Sequence, residues 1–288
     1  MKERIRQFLN FFGPFLGLGF VYVLFLLFAP DSFCSMYNTK TIVSQAVIVG
    51  IGALGMTLVI VSGGIDLSVG SLIALGTVVV AKILAHWGGE TPGTGVTIGA
   101  AVAAIVVCAG CGFVSGSIIS GLRIVPFIVT LGMMQIARGV AKGLAHETMV
   151  TAPANRLNDL MLVEPRPGVW YSFSPGIGIM VVLLVAAMVL LRYTVFGRHV
   201  FALGSSEATA RLCGINVAMQ RVWIYTMSGA FTGVASIMQF SNLTLGDPTA
   251  ATGMELDIIA AVVIGGGSLS GGEGSALGSV VGALIMAV

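Results

Sequence analysis

The sequence predicts an all-α protein, a polytopic bundle of transmembrane helices forming one domain over residues 1–288. Three observations predict it. Of the 288 residues, 56% are apolar and only 9% are charged, where soluble domains average about 45–50% and about 25%. The mean hydropathy is +1.00. The apolar residues fall into runs of roughly 20, the length that crosses a ~30 Å hydrocarbon core, and polar or Gly/Pro clusters separate the runs. This composition excludes a soluble enzyme and a disordered chain. A formal net charge of +2 also excludes a nucleic-acid binder, which needs basic patches.

About nine spans are visible. Lys2, Arg4 and Arg6 precede an apolar stretch over 8–28 with no small-x-small cleavage site after it, so it reads as an uncleaved first span at 11–29. A polar hairpin at 31–41 leads into a second span, 42–61, and SGGIDLSVGS at 62–71 interrupts the run before a third, 67–85. The fourth is 96–119, and the turn Ser120-Gly121-Leu122-Arg123 leads to a fifth at 124–144. The longest polar segment, 146–174, carries Pro153, Pro165 and Pro167, with Pro175 at its end. A sixth span (176–191), a basic loop (192–221), a seventh span (222–240), a polar stretch (241–256) and an eighth span (256–264) follow. After the glycine-rich 265–275, the last run, 276–288, has 13 residues. That is too few to cross a bilayer untilted, so the expectation is a chain ending inside a helix and ten spans at full length.

The loop charges set an orientation. With the N-terminus in the cytoplasm, Lys2, Arg4, Arg6, Arg123, Arg192, Arg198, Arg211 and Arg221 lie inside, eight against the three outside, Lys40, Arg156 and Arg166. Two stretches share G-G-x-x-L-S, at 63–68 and 265–270, which suggests an internal duplication.

Several motifs carry no chemistry in this setting. Residues 50–55 satisfy G-x-G-x-x-G, but inside a span rather than after a strand, so close helix packing explains them. Residues 269–273 (LSGGE) look like an ATPase signature, yet no lysine follows a glycine and a Walker A loop is therefore absent. Cys108 and Cys111 read as C-x-x-C within an uncharged span, where small packing residues are the better reading. H-E-x-x-H and G-x-S-x-G are missing, so the enzyme reading is weak. Small residues four apart (Gly112/Gly116, Gly139/Gly143, Gly229/Gly233, Gly274/Gly278/Gly282) permit close helix contact, most of it within the bundle, with one such face available to a dimer.

Two features point to function. Asp66 is an ionisable residue at membrane depth, where a charge costs ~2.5–3.5 kcal/mol on insertion scales and so faces a cavity or serves a role. The Gly63-Gly64 pair breaks the helix before it, and Asp66 also reads as a cap for the helix that follows. In the loop 192–221, Ser205 or Ser206 caps a short helix, Glu207 favours its N-terminus and Gly214 ends it. A short capped helix with a narrow apolar face suits docking into a cytoplasmic partner.

Four ordered blocks now bear on family: 62–76 (SGGIDLSVGSLIALG), 124–132 (IVPFIVTLG), 207–217 (EATARLCGINV) and 255–266 (ELDIIAAVVIGG). Together they resemble the permease subunits of bacterial ABC sugar importers, of the ribose/xylose type. The resemblance implies a multi-pass protein of the inner membrane that pairs with a second permease copy. It also implies a periplasmic sugar-binding protein and a cytoplasmic ATPase that carries the ATP and Mg; this chain needs no cofactor and binds no metal. Ser206, Glu207, Ala208, Arg211 and Gly214 fall where that family couples to its ATPase, with Thr209 and Cys213 departing from the expected Ala and Ser. The expected sugar path involves Asp66, Ser68, Phe127, Thr130 and Gln135, with Phe127 either an apolar gate or ordinary packing. Asp247 and Glu255 are placed at the outer face, to contact the binding protein or to cap the eighth span. The alternatives are a secondary transporter, for which Asp66, Arg138 and Lys142 are the ion-site candidates within spans, and a channel.

Overall fold

The computed structural model describes residues 2–29, 31–164 and 173–288, with side chains over 12–29, 33–164 and 173–288. Pro165, Arg166 and Pro167 lie outside the described residues. The chain is mostly helical. In order, the helices are α1 (Lys2–Phe28), α2 (Met36–Val61), α3 (Val69–Trp87), α4 (Thr94–Leu122), α5 (Pro126–Ala145) and α6 (Pro175–Tyr193). Then come α7 (Val195–Ser205), α8 (Glu207–Leu212), α9 (Val217–Leu243), α10 (Met254–Ile264) and α11 (Ala276–Ala287). A two-residue antiparallel pair, β1 (Val150–Thr151) with β2 (Leu245–Gly246), ties the long polar loop to the end of α9.

On length and composition, α2, α3, α4 and α6 can each cross a membrane, and 12–28 and α11 are shorter apolar helices. The nine expected spans are thus only partly matched. α10 has 11 residues, about 16 Å at 1.5 Å per residue, roughly half a bilayer. The other half of that crossing is irregular backbone. A Cβ on Gly246 would meet Ala81 and Thr77 of α3, whereas one on Gly70, in the first turn of α3, would meet Ala251 and Glu255. The segment 246–255 therefore runs down the side of α3. Such backbone is tolerated at membrane depth only against protein, and α3 supplies it.

α2 is the central helix, buried from Ala46 to Val61 except at Val49. It packs on α9, α10, α11 and α6, and α4 lies along most of α9. Gly112 and Gly116 of α4 meet Tyr225 and Val222, and Gly229 and Gly233 of α9 meet Cys108, Ala109 and Ile105. Between helices in lipid, such backbone proximity replaces hydrophobic burial as the source of attraction. The Cys108–Cys111 pair remains two free thiols, Cys108 buried in this seam with its Sγ 3.4 Å from the Leu72 carbonyl.

Boundaries moved for local reasons. The second helix begins at Met36 rather than 42, because the Ser35 side chain accepts from the Asn38 amide (3.1 Å). The loop 192–221 holds two helices where one was expected. Thr194 Oγ1 accepts from Gly197 N (3.1 Å), and this cap starts α7 directly after α6.

The two G-G stretches end their helices identically. Gly63 N donates to Ile60 O and Gly64 N to Val59 O; Gly266 N donates to Val263 O and Gly267 N to Val262 O. Both are Schellman terminations, and Gly63 (φ 81) and Gly266 (φ 92) hold the left-handed residue that this motif requires. Gly63 thus matches Gly266, one residue off the register that G-G-x-x-L-S implies.

Candidate functional site

The site has two parts, a protruding helix at one end of the bundle and an irregular interior below it. At the end, Ser206 Oγ accepts from Thr209 N (3.2 Å) and starts α8. Gly214 N donates to Arg211 O and Ile215 N to Ala210 O, a Schellman termination. The cap and stop read from the sequence both stand. Ala210 is the buried member of this helix; Ala208, Thr209 and Arg211 are exposed, and Leu212 is 89% exposed.

Glu207 points back rather than outward. It pairs with Arg211 (2.6 Å) and with Arg221 of α9, bridging the helix to the bundle. The Arg211 hydrogen bond holds its carboxyl below the usual glutamate range, partial burial opposes that, and the Arg221 charge adds to the lowering.

α7 seats α8 on the interior. Gly204, at its last turn, lies so close to the Val61 carbonyl that an added methyl would overlap it, and the Gly272 amide stands beside it. Gly272 N in turn donates to Val61 O (2.8 Å). The end of α2, the loop after α10 and the last turn of α7, which leads into α8, therefore meet at one point.

From that junction the linker 62–68 climbs into the bundle. Its Ile65 carbonyl accepts from Thr130 Oγ1 (3.3 Å), and Gly64 lies beneath the Tyr225 hydroxyl, a buried group with no hydrogen-bond partner among the described residues. Asp66 is 2% exposed; its Oδ1 accepts from Ser68 N (2.9 Å) and Ser68 Oγ (2.6 Å). It closes the turn leading into α3, while Ser68, the cap residue itself, makes no side-chain cap bond.

The expected path residues fall into two sets. Asp66, Ser68 and Thr130 are buried together where the linker meets α5, and Phe127 and Gln135 lie on the exposed side of α5. That side also carries Gly132, Gly139 and Gly143, each with open space where a Cβ would stand.

Glu255 lies at the start of α3: its Oε2 packs on Gly70, 17 residues before Trp87, about 25 Å from the far end of that helix. Asp247 Oδ1 accepts from Thr249 N and Oγ1 (2.7 Å each), closing a turn of the irregular segment. Arg138 of α5 holds the same segment, donating to Pro248 O (3.0 Å) and Ala250 O (2.7 Å). Sequence reasoning did not single out Leu212, Gly204, Tyr225 or the strap formed by Arg138. Only Leu212 left a signal, an apolar side chain in a polar six-residue helix. Among the described residues, no group of His, Cys, Asp or Glu could hold a metal ion.

Residues 38–288 match the family described as branched-chain amino acid transport system / permease component. The chain belongs to this permease family. The permease is 38% identical over 264 residues to the ribose import permease protein RbsC of Escherichia coli (strain K12), covering 88% of this chain and 77% of that protein. It is 36% identical to RbsC of Bacillus subtilis (strain 168), over 95% of this chain and 82% of the relative. It is 33% identical to the fructose import permease protein FrcC of Rhizobium meliloti, over 96% and 76%. No solved structure gives a significant match. The matched region leaves out α1 and begins in the first turn of α2.

Proposed function

We propose that this permease is the membrane subunit of an ABC importer for a monosaccharide, driven by a separate ATPase and supplied by a periplasmic binding protein. The protruding α8, seated through Gly204 on both interior linkers, carries the reading. A partner that grips α8 moves Val61 and Gly272 with it, and so the ends of α2 and α10. ATP binding would draw two such helices together in a dimer and tilt the bundles, opening a path to the other side. The ribose and fructose named in the relatives favour a sugar over an amino acid. The interior is compatible with a neutral solute: Asp66 and Arg138 are engaged with Ser68 and with backbone carbonyls, and Glu255 Oε2 is the buried carboxylate oxygen left without a hydrogen-bond partner among the described residues.

The second copy would lie along the exposed side of α5, with Phe127 and Gln135 beside the path and the unfilled Gly139 and Gly143 allowing close approach. The α8 end gathers Arg123, Arg211 and Arg221, which favours a cytoplasmic location in the inner membrane. In this reading Glu255, packed on Gly70, belongs to the interior gate region, while Asp247, directly after β2 and its pairing with the long polar loop, stays with the binding-protein contact.

Co-purification with the cognate ATPase tests the proposal. Leu212→Asp should weaken association about tenfold or more, as loss of a buried interface anchor does. Wild-type association and uptake in that variant would defeat the coupling assignment.

A further inference from the structure

A groove beside α8 shares Arg211 and Gly214 with the coupling segment but extends past it to Arg123 and the start of α9. The end of α4, the base of α8 and the start of α9 enclose a groove of about 400 Å³ lined by Ser120, Arg123, Arg211, Ala218 and Arg221 among others. Among the described residues, no acidic side chain lines it. Glu207 lies alongside and pairs with Arg211 and Arg221, so three guanidiniums against one carboxylate leave two positive charges. Arg123 is exposed and has no ion-pair partner among the described residues.

The groove also offers backbone donors. Asn216 Oδ1 satisfies the Met219 amide (3.1 Å) at the start of α9, whereas the Val217 and Ala218 amides have no acceptor among the described residues. Open amides at the start of a 27-residue helix favour an anion. The same ends of α4 and α9 expose Leu122, Met219 and Trp223 to the surroundings. Arginines above exposed leucine and tryptophan mark a headgroup level with acyl chains below it.

We infer that this groove binds the phosphate of an anionic phospholipid, with Arg123 as its principal free ligand and the apolar ends of α4 and α9 receiving the chains. An acidic side chain of a soluble partner would need no such apolar flank. Basic pockets between membrane helices take anionic headgroups on the same physical grounds.

The test uses the full chain in nanodiscs of phosphatidylcholine mixed with phosphatidylglycerol, with retained lipid counted by native mass spectrometry. Arg123 ends α4 in a left-handed conformation (φ 54). Arg123→Asn therefore removes the charge while keeping a residue that tolerates this backbone. Wild type should retain phosphatidylglycerol in preference to phosphatidylcholine, and Arg123→Asn should weaken that retention ~5-fold, the effect of one cation at an anionic surface. Arg192→Asn, outside the groove, should retain it as wild type does. Equal retention by wild type and Arg123→Asn would overturn the inference. Displacement of the lipid by inorganic phosphate alone would also overturn it, and so would loss of ATPase association in Arg123→Asn with lipid retention unchanged.

Discussion

At the residue scale, Arg138 and Glu207 do opposite kinds of work. Arg138 donates two charge-assisted hydrogen bonds to carbonyls that the irregular segment cannot satisfy through helix. Hydrogen bonds to a charged group contribute about 1.5–3 kcal/mol, so Arg138→Ala should destabilise the permease by roughly 2–4 kcal/mol in a detergent melt, and Arg138→Lys by less. A melt no lower than wild type would remove the strap from the account. Glu207 is a surface clasp. Its carboxyl titrates below the ordinary 4.5 in the folded chain. The clasp therefore stabilises above that pH and is lost as pH falls through the depressed value. The gap between wild type and Glu207→Gln should be about 1 kcal/mol or less at neutral pH, given the exposure of the pair, and should vanish in acid.

At the element scale, the decisive contact is Gly204 on Val61. Gly204→Val would push the last turn of α7, and α8 with it, off the junction, a small-to-large change that costs about 1–3 kcal/mol and should separate ATPase binding from uptake. Association would persist while transport falls, read by pull-down and sugar uptake in parallel. Transport at the wild-type level would show that α8 does not act through that junction. Neither this contact nor α7 was legible in the sequence. The caps were: Ser206 and Gly214 are local signals, and local hydrogen bonds decide them. Gly204 is one glycine in a basic loop, and the partner that forbids its Cβ lies 143 positions earlier. α10 was legible as a short apolar run, nine residues over 256–264 against the 11 observed, but the segment before it was not, because α3 and Arg138 hold that segment rather than its own pattern. For the same reason the contact of Glu255 with Gly70 was not legible.

At the scale of the whole molecule, the bundle class followed from composition and run length together, since unbroken apolar runs suit membrane helices that pair their backbone internally, whereas barrel strands alternate. Which small-residue faces turn outward did not. Gly112, Gly116, Gly229 and Gly233 are filled from within and Gly139 and Gly143 are open, a distinction that exists only once α4 and α9 are packed. Gly139→Leu should leave the monomer's stability unchanged, since nothing stands within 4 Å of its Cβ position. It should shift the assembly toward monomer by about tenfold or more in mass photometry if α5 meets its copy closely. A dimer unaffected by Gly139→Leu would place the second copy elsewhere.

Two native thiols allow the central claim to be tested without new cysteines. Cys213 is exposed beside α8, and Cys34 is exposed ahead of α2. The 26 residues of α2 set them about 39 Å apart along the bundle. An impermeant maleimide should label Cys34 from the periplasmic side of oriented vesicles and Cys213 only from the cytoplasmic side, with the cognate ATPase protecting Cys213. Labelling of Cys213 from the periplasmic side, or no protection by bound ATPase, would contradict the account.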